Sequence, residues 1–481
     1  NKEGDYTFVE AVNLDNGNQK AGTADQGITT ERQYTARLTQ YSTATTDKDS
    51  YYGLVLLNNN YSISGQSGKK VALPADGQTF SDWNETTSGG GMIKSDNGFY
   101  MASAPGWTTA GQVPLTLTHI DPAKVKFTES DANAAGPAAT IHVERGLAKV
   151  SLSKTTGDEK PATNYTSDKV QINGWALDVT NQTSYPVHNV DGLTKDYADI
   201  WKSSGSKPTD GTASVERFVD GGNSVFKRVY WAKDHNYSLG ADYITGTNAF
   251  TQCGTQFDMI NISKDSKTGA YSEEVKSLVT APLYCLENTF DINNMTQGQT
   301  TRVVFKATYK PNGITAGTTF YKVGSTLYTL ENLKSEVSGI IKNLFGKTDG
   351  TDYVLNLAAA GNNITSASGT YEITDANLEK KTSGAKAFTR AEDVVAATPN
   401  NVFTPEQIAL INSNLKGGIS TYLNGVCYYI GRIKHFGDSE TPWSEGNPTY
   451  GGADNNIKFL GRYGVARNNW YELNVEGIAG P

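Results

Sequence analysis

Alternation with a period of two is the feature that most restricts this chain. In 301–309 (TRVVFKATY), Val303, Phe305, Ala307 and Tyr309 fall on one face and Arg302, Lys306 and Thr308 on the other. The pattern recurs in 113–119 (VPLTLTH) and in 470–476 (WYELNVE), where Tyr471, Leu473 and Val475 alternate with Glu472, Asn474 and Glu476. Successive side chains of a strand point to opposite faces, so such stretches predict half-buried strands. Further candidates are 6–12, 51–57, 98–103, 147–153, 170–180, 318–323, 326–330, 426–433 and 457–463. The segment VQINGWALDVT is apolar on both faces with Gly174 in its middle, which predicts a central strand carrying a bulge.

Two segments read as helical. In 330–345, Leu333, Val337, Ile340, Ile341 and Leu344 recur at three- and four-residue spacing. In 404–415, Thr404, Pro405 and Gln407 supply an N-cap, a first-turn proline and the partner of a capping box, and Gly417–Gly418 ends the run. Both lie in the second half of the chain. A length of 481 residues exceeds one ordinary core, so two domains are expected. The stretch after Val190 turns polar and glycine-rich, which places the boundary there, giving 1–190 and 191–481. The expected class is all-β, two β-sandwich domains, with both helices in the second.

Composition narrows the function. Charged residues are 19%, aromatics 10%, and there are 49 glycines and 26 tyrosines, an extracellular all-β profile with enough aromatic mass to bury a core. Net charge is −8 with no basic cluster, which argues against nucleic acid as a partner. No apolar run approaches the length of a membrane span.

Catalytic motifs are absent. His119, His142, His188, His235 and His435 show no metal-binding helical spacing and read as structural. There is no nucleophile elbow, phosphate loop or dinucleotide fingerprint. The acidic pieces DNGN (15–18), DKD (47–49) and DINN (291–294) do not complete a calcium loop and read as solvated turns. Acidic pairs suited to glycoside hydrolysis carry no information, because 50 acidic residues always contain some. No catalytic residue, metal or cofactor is therefore assigned. Trp175, Trp231 and Trp470 lie in strands and are expected in the core. Trp83, Trp107, Trp201 and Trp443 lie in loops, so Trp83 and Trp107 are candidate glycan contacts. Cys253, Cys285 and Cys427 are too scattered for a disulfide framework or zinc site. Three buried thiols and one bridge with a thiol left over both stay open. In an oxidising compartment the expected bridge is Cys253–Cys285, which flank one short polar excursion, with Cys427 alone in strand 426–433.

Longer blocks carry a resemblance. IHVERGLAKVSLS (141–153) and VQINGWALDVTNQTSYPVHNV (170–190) resemble the end of the N-terminal domain of Bacteroidales fimbrillins, the subunits of type V pili. PLYCLENTF (282–290), CYYIGRIKHFGDSETPW (427–443) and IKFLGRYGVARNNWYELNV (457–475) are similar to that family's C-terminal domain, and the pattern is nearest to the shaft subunits of the short fimbriae of Porphyromonas. The resemblance implies two transthyretin-like sandwiches and a structural role in a surface fimbria, outside the outer membrane, supporting adhesion and biofilm formation, with no enzymatic activity. Family members are exported as lipoprotein precursors and trimmed after an Arg by a protease, which removes a first strand. A neighbouring subunit's strand then fills the groove. The implied partners are copies of the chain itself in a head-to-tail fibre, accessory tip and anchor fimbrillins, host or bacterial receptors, and the maturation protease. The start at Asn1 reads as the trimmed state, and the stop at GIAGP (477–481) as a truncated or cleaved form lacking the donor strand. Expected groove residues are Val113, Leu115, Leu117, Ala148, Val150 and Leu152, with ordinary core as the competing reading. A groove residue is partly exposed in an isolated subunit, whereas a core residue is buried on all sides. The alternative function is a glycan-binding tip or surface lipoprotein adhesin, and a secreted hydrolase is a third.

Overall fold

The longest strands overlap the expected segments 170–180, 301–309 and 426–433 in the computed structural model, which describes residues 2–14, 18–21, 30–42, 51–63, 66–86, 89, 91–107, 114–153, 159–190, 227–240, 249–260, 281–291, 294–296, 298–380, 402–438, 441 and 460–481. The strands that position the site are β1 (Met101–Ser103), β2 (Val143–Arg145), β3 (Ala148–Leu152), β4 (Glu159–Pro161), β5 (Lys169–Asp178), β6 (Leu283–Cys285), β7 (Arg302–Lys310), β8 (Val426–Arg432) and β9 (Trp470–Leu473). The described α-helices are α1 (Phe80–Asn84), α2 (Glu129–Ala135), α3 (Ala249–Cys253), α4 (Leu330–Phe345) and α5 (Pro405–Asn414). The fold is all-β with a few helices.

Two sheets face each other. One has the order β4-β5-β7-β8, all antiparallel, and the register between β5 and β7 shifts between Ile172 and Gly174, where the bulge was expected. The other has the order β6-β3-β9, with β3 antiparallel to β6 and parallel to β9. Ala148, Val150, Cys285 and Tyr471 from this sheet meet Trp175, Val303 and Phe305 from the first in one buried cluster. Burying a large apolar side chain of this kind contributes about 1.5–3 kcal/mol.

This pairing corrects the boundary placed at residue 190. β3 and β5 precede it, yet their ladder partners β6, β7 and β9 follow it. The sheets cannot be divided there without leaving rows of backbone donors and acceptors unpaired. The polar stretch that suggested the boundary, from residue 191 to 226, lies outside the described residues.

A second core surrounds the helices. Leu333, Val337 and Ile341 of α4 pack with Ile411 of α5 and with Tyr321, Leu415 and Ile419. Thr329 caps α4 by accepting from the Asn332 N–H, and Gly346 ends it at φ +70°. At α5 the capping box forms as its residue types dictate: Thr404 accepts from the Gln407 N–H while the Gln407 side chain accepts from the Thr404 N–H. A third cluster gathers Trp83 of α1, Met92, Tyr100, Leu147, Val187 and Leu286.

Segment 113–119 departs from expectation. Thr118–His119 forms a two-residue strand and Leu115 a single bridge to Gly106. Pro114 offers no N–H to a ladder, and the Glu3 carboxylate accepts the N–H groups of Thr116, at 2.7 Å, and of Leu117. The backbone donors are satisfied outside a sheet. Among the described residues no helix is long and apolar enough to cross a membrane.

Candidate functional site

The densest chemistry lies where the two facing sheets meet the third cluster. Glu144 sits on β2, held opposite Ala102 of β1. His188 lies in the bend after Pro186, where the Val187 N–H donates to Asn84 Oδ1 of α1 at 3.0 Å. Glu287 follows β6, and Arg467 precedes β9, where the Asn468 N–H donates to the Leu147 carbonyl at 3.0 Å. All four side chains are buried.

His188 lies between two carboxylates, with Nδ1 2.8 Å from Glu144 Oε1 and Nε2 2.9 Å from Glu287 Oε2. Arg467 closes the chain: Nε donates to Glu287 Oε1 at 2.9 Å, and Nη2 contacts the same oxygen. Nη2 also donates to Ser184 Oγ at 3.1 Å and to the Tyr185 carbonyl at 3.0 Å. Arg228 approaches Glu144 Oε2 at 3.9 Å and donates through Nη2 to the Arg467 carbonyl. A second buried network joins through the Glu287 carbonyl, which accepts from Asn181 Nδ2 at 2.6 Å; Asn181 also donates to Asp234. The Asp234 carboxylate accepts further from the backbone of Asn236 and Thr289.

Charge balance makes this burial tolerable, since an unpaired buried ion is strongly destabilising. Burial alone would raise the Glu287 carboxyl, but Arg467 and His188 outweigh it and hold its pKa at about 2. Burial alone would lower His188, but Glu144 and Glu287 outweigh it, against the opposing charge of Arg467, and hold it above the ordinary value. Asp234 is raised well above the usual carboxylate range, chiefly by burial. The side chains of Glu144, His188, Glu287 and Arg467 are each 2% exposed or less. The cluster ties four distant chain segments to one point.

The signs give a pH window. His188, raised when folded, contributes stability that is complete below its unfolded pKa of about 6.5 and is lost as pH climbs through the folded value. Glu287, depressed when folded, contributes stability present above about 4.5 and lost as pH falls through about 2. The cluster therefore contributes most between roughly pH 4.5 and 6.5. His435 works the other way: burial lowers it to about 3, so its contribution is present above pH 6.5 and fades in acid. A difference measurement isolates the cluster. The gap in unfolding free energy between the native chain and His188→Gln is expected to narrow steadily as pH rises from about 6.5, and a gap that stays constant or widens contradicts the assignment.

Comparison with known proteins adds little. No family model matches the chain, and no curated protein matches it. Among solved structures, it is similar to the crystal structure of a "Putative cell adhesion protein" from Parabacteroides distasonis ATCC 8503. The identity is 14% and the TM-score 0.21, over 48% of this chain and 58% of that one. At that level the likeness carries no argument. The chain spans just over half the length of that protein.

The expected site residues scatter. Trp83 is buried in α1, its Nε1–H donating to the Ala72 carbonyl at 2.8 Å, so it is no glycan contact: the loop expected there is a helix packed on the core. The Trp107 side chain lies outside the described residues, as do Trp201, Trp443 and Val113. Trp470, expected in the core, is 60% exposed. Ala148 and Val150 are wholly buried on a strand with neighbours at both edges, which is core and no open groove; Leu152 is half-buried against the same cluster. Leu117 is half-buried, and Leu115 is 47% exposed beside its bridge to Gly106.

The Cys253–Cys285 bridge is corrected. All three cysteines are buried thiols outside any disulfide. Cys253 packs with Val179 and Phe257, whereas Cys285 packs between the two sheets with Trp175 and Tyr471. Burial pushes the thiols of Cys285 and Cys427 up to about 12, which makes them unreactive. Cys427 sits in β8.

The residues that sequence reasoning missed are Glu144, Glu287 and Arg467, and the ionic setting of His188. Their signal was a charged residue inside an apolar block, as in VERGLA, YCLEN and VARNN.

Proposed function

We propose that the chain is a structural, adhesion-related subunit of a bacterial surface fimbria, and that it is not an enzyme. The observation that carries this reading is the convergence of the resembling blocks. VERGLAKV, YPVHNV, CLENTF and ARNNWYELNV each send one residue into the sealed cluster of Glu144, His188, Glu287 and Arg467. Blocks that meet in a solvent-free clamp specify a scaffold; blocks that specify catalysis converge on a cleft. Strands β8 and β9 are the last of their sheets among the described residues, and such edges favour strand addition. A head-to-tail contact of that kind does not close and so grows a filament.

In this reading the partners are further copies of the chain, accessory tip and anchor subunits and surface receptors, after trimming behind an Arg by a protease. The place of action is the outside of the outer membrane. Electron microscopy of the full-length, protease-matured protein tests it. Filaments, with ladders of regular mass on mildly denaturing gels, are expected; a protein that stays monomeric after maturation overturns the proposal.

A further inference from the structure

The β6-β3-β9 sheet buries one face against the facing sheet and carries Trp470 and Glu472 exposed on the other. On the outer face the register sets Tyr284, Lys149 and Trp470 side by side, with Ser151 and Glu472 paired in the next row. Trp470 is 60% exposed, although a tryptophan is among the costliest side chains to leave in water. It is also held in place. Its Nε1–H donates to Ser151 Oγ at 2.7 Å, and the Lys149 ammonium lies 3.7 Å from the ring centroid. With the N–H satisfied and the ammonium over the ring, the indole still stands 60% exposed. Tyr284 ends the row as a second aromatic, packed on Phe99 at 4.1 Å and 5.5 Å from the Arg145 guanidinium carbon.

We propose that Trp470, with Lys149, Ser151 and Glu472 around it, forms a stacking site for one pyranose ring of a neutral glycan. A pyranose presents a face of C–H groups and a rim of hydroxyls that both donate and accept. It requires a fixed apolar plate with donors and acceptors at its margin. The indole supplies the plate, the Lys149 ammonium a donor, the Glu472 carboxylate an acceptor and the Ser151 hydroxyl a further donor. An apolar protein knob requires an apolar rim, and the residues flanking Trp470 on this face are polar or charged. Nucleic acid or a sulfated glycan requires a positive surround, whereas here Glu472 offsets Lys149 and the whole chain carries −8. A membrane surface requires a broad apolar patch, and Trp470 stands among polar neighbours.

The test uses the full chain on immobilised neutral, sialylated and sulfated oligosaccharides, alongside Trp470→Ala, Trp470→Phe and Glu472→Gln. Retention of a neutral glycan is expected, weakened at least about tenfold, or 1.4 kcal/mol, in Trp470→Ala and less in Trp470→Phe. Glu472→Gln is expected to weaken it too, with unfolding curves unchanged in all three variants. Labelling with 5-fluorotryptophan supplies a direct readout, since the Trp470 resonance should shift on adding the retained sugar. Absence of any retained glycan, retention unaffected by Trp470→Ala, or retention confined to sialylated and sulfated sugars and abolished by salt would each overturn the assignment. So would a Trp470→Ala defect in self-association with no sugar binding in the native chain.

Discussion

Replacing Arg467 by methionine is expected to destabilise the protein by about 3–5 kcal/mol, the range for breaking a buried ion pair from one side. The guanidinium is buried, contacts Glu287 through two nitrogens, and also satisfies Ser184 Oγ and the Tyr185 carbonyl. Without it, Glu287 keeps only His188 as a counter-charge, and Glu144 competes for the same imidazole. The Glu287 carboxyl is then expected to leave its depressed value near 2 and take up a proton in mildly acidic solution. Urea unfolding measures the loss. The double variant Arg467→Met with Glu287→Gln is expected to recover part of it, because no uncompensated charge stays buried. If Arg467→Met does not fold, that recovery still reads out the coupling. A single-variant loss below about 1 kcal/mol would place the pair in the range of surface ion pairs and refute the clamp.

Trp231→Ala is expected to cost about 3–5 kcal/mol, the range for deleting a buried aromatic where the site cannot collapse. The ring is fully buried among Phe290, His435 and Phe436, at centroid distances of 5.6, 5.2 and 6.2 Å. Its indole N–H has no hydrogen-bond partner among the described residues, so the loss is one of packing. Collapse is prevented by the backbone beneath it. Asn288 and Val465 exchange both hydrogen bonds, at 2.7 and 3.0 Å. Between Val465 and the ring runs Gly464 at φ +125°, where an added Cβ would lie 2.9 Å from the indole. Thermal or urea unfolding gives the magnitude, and His435 gives a second readout. Burial holds its pKa near 3, and water entering the vacated space should move it upward in an NMR titration. A cost under about 1 kcal/mol with His435 unmoved would show that the pocket closes over the gap.

What the sequence made legible was local. The cap at Thr404 and Gln407, the spacing of Leu333, Val337 and Ile341, the inward row of Val303, Phe305, Ala307 and Tyr309, and the bulge at Gly174 all depend on near neighbours. Alternation also told which face of 470–476 is buried, and by its own period put Trp470 outside; residue type pulled the reading the wrong way. Strand pairing was not legible. Nothing in AKVSL names WYEL as its neighbour, and the polar stretch after Val190 marks a connection without saying where the chain returns. The ionic cluster was hidden for the same reason. Each member is an ordinary charged residue until the fold brings the others to it.

The parallel pairing of β3 with β9 also sets the order of events during synthesis. Ser151 and Trp470, joined by a hydrogen bond across that pair, are 319 positions apart. At roughly 5–20 residues per second, the strand that completes this sheet reaches it on the order of 15–60 s after β3 has been made. Through that interval Ala148, Val150 and Leu152 sit on a strand with an unpaired edge, and Glu144 and His188 wait for the guanidinium that balances them. Contacts so distant in the chain close late and slowly. Nascent chains stalled before residue 470 should therefore expose a sticky β3 edge, a natural target for chaperones and proteases.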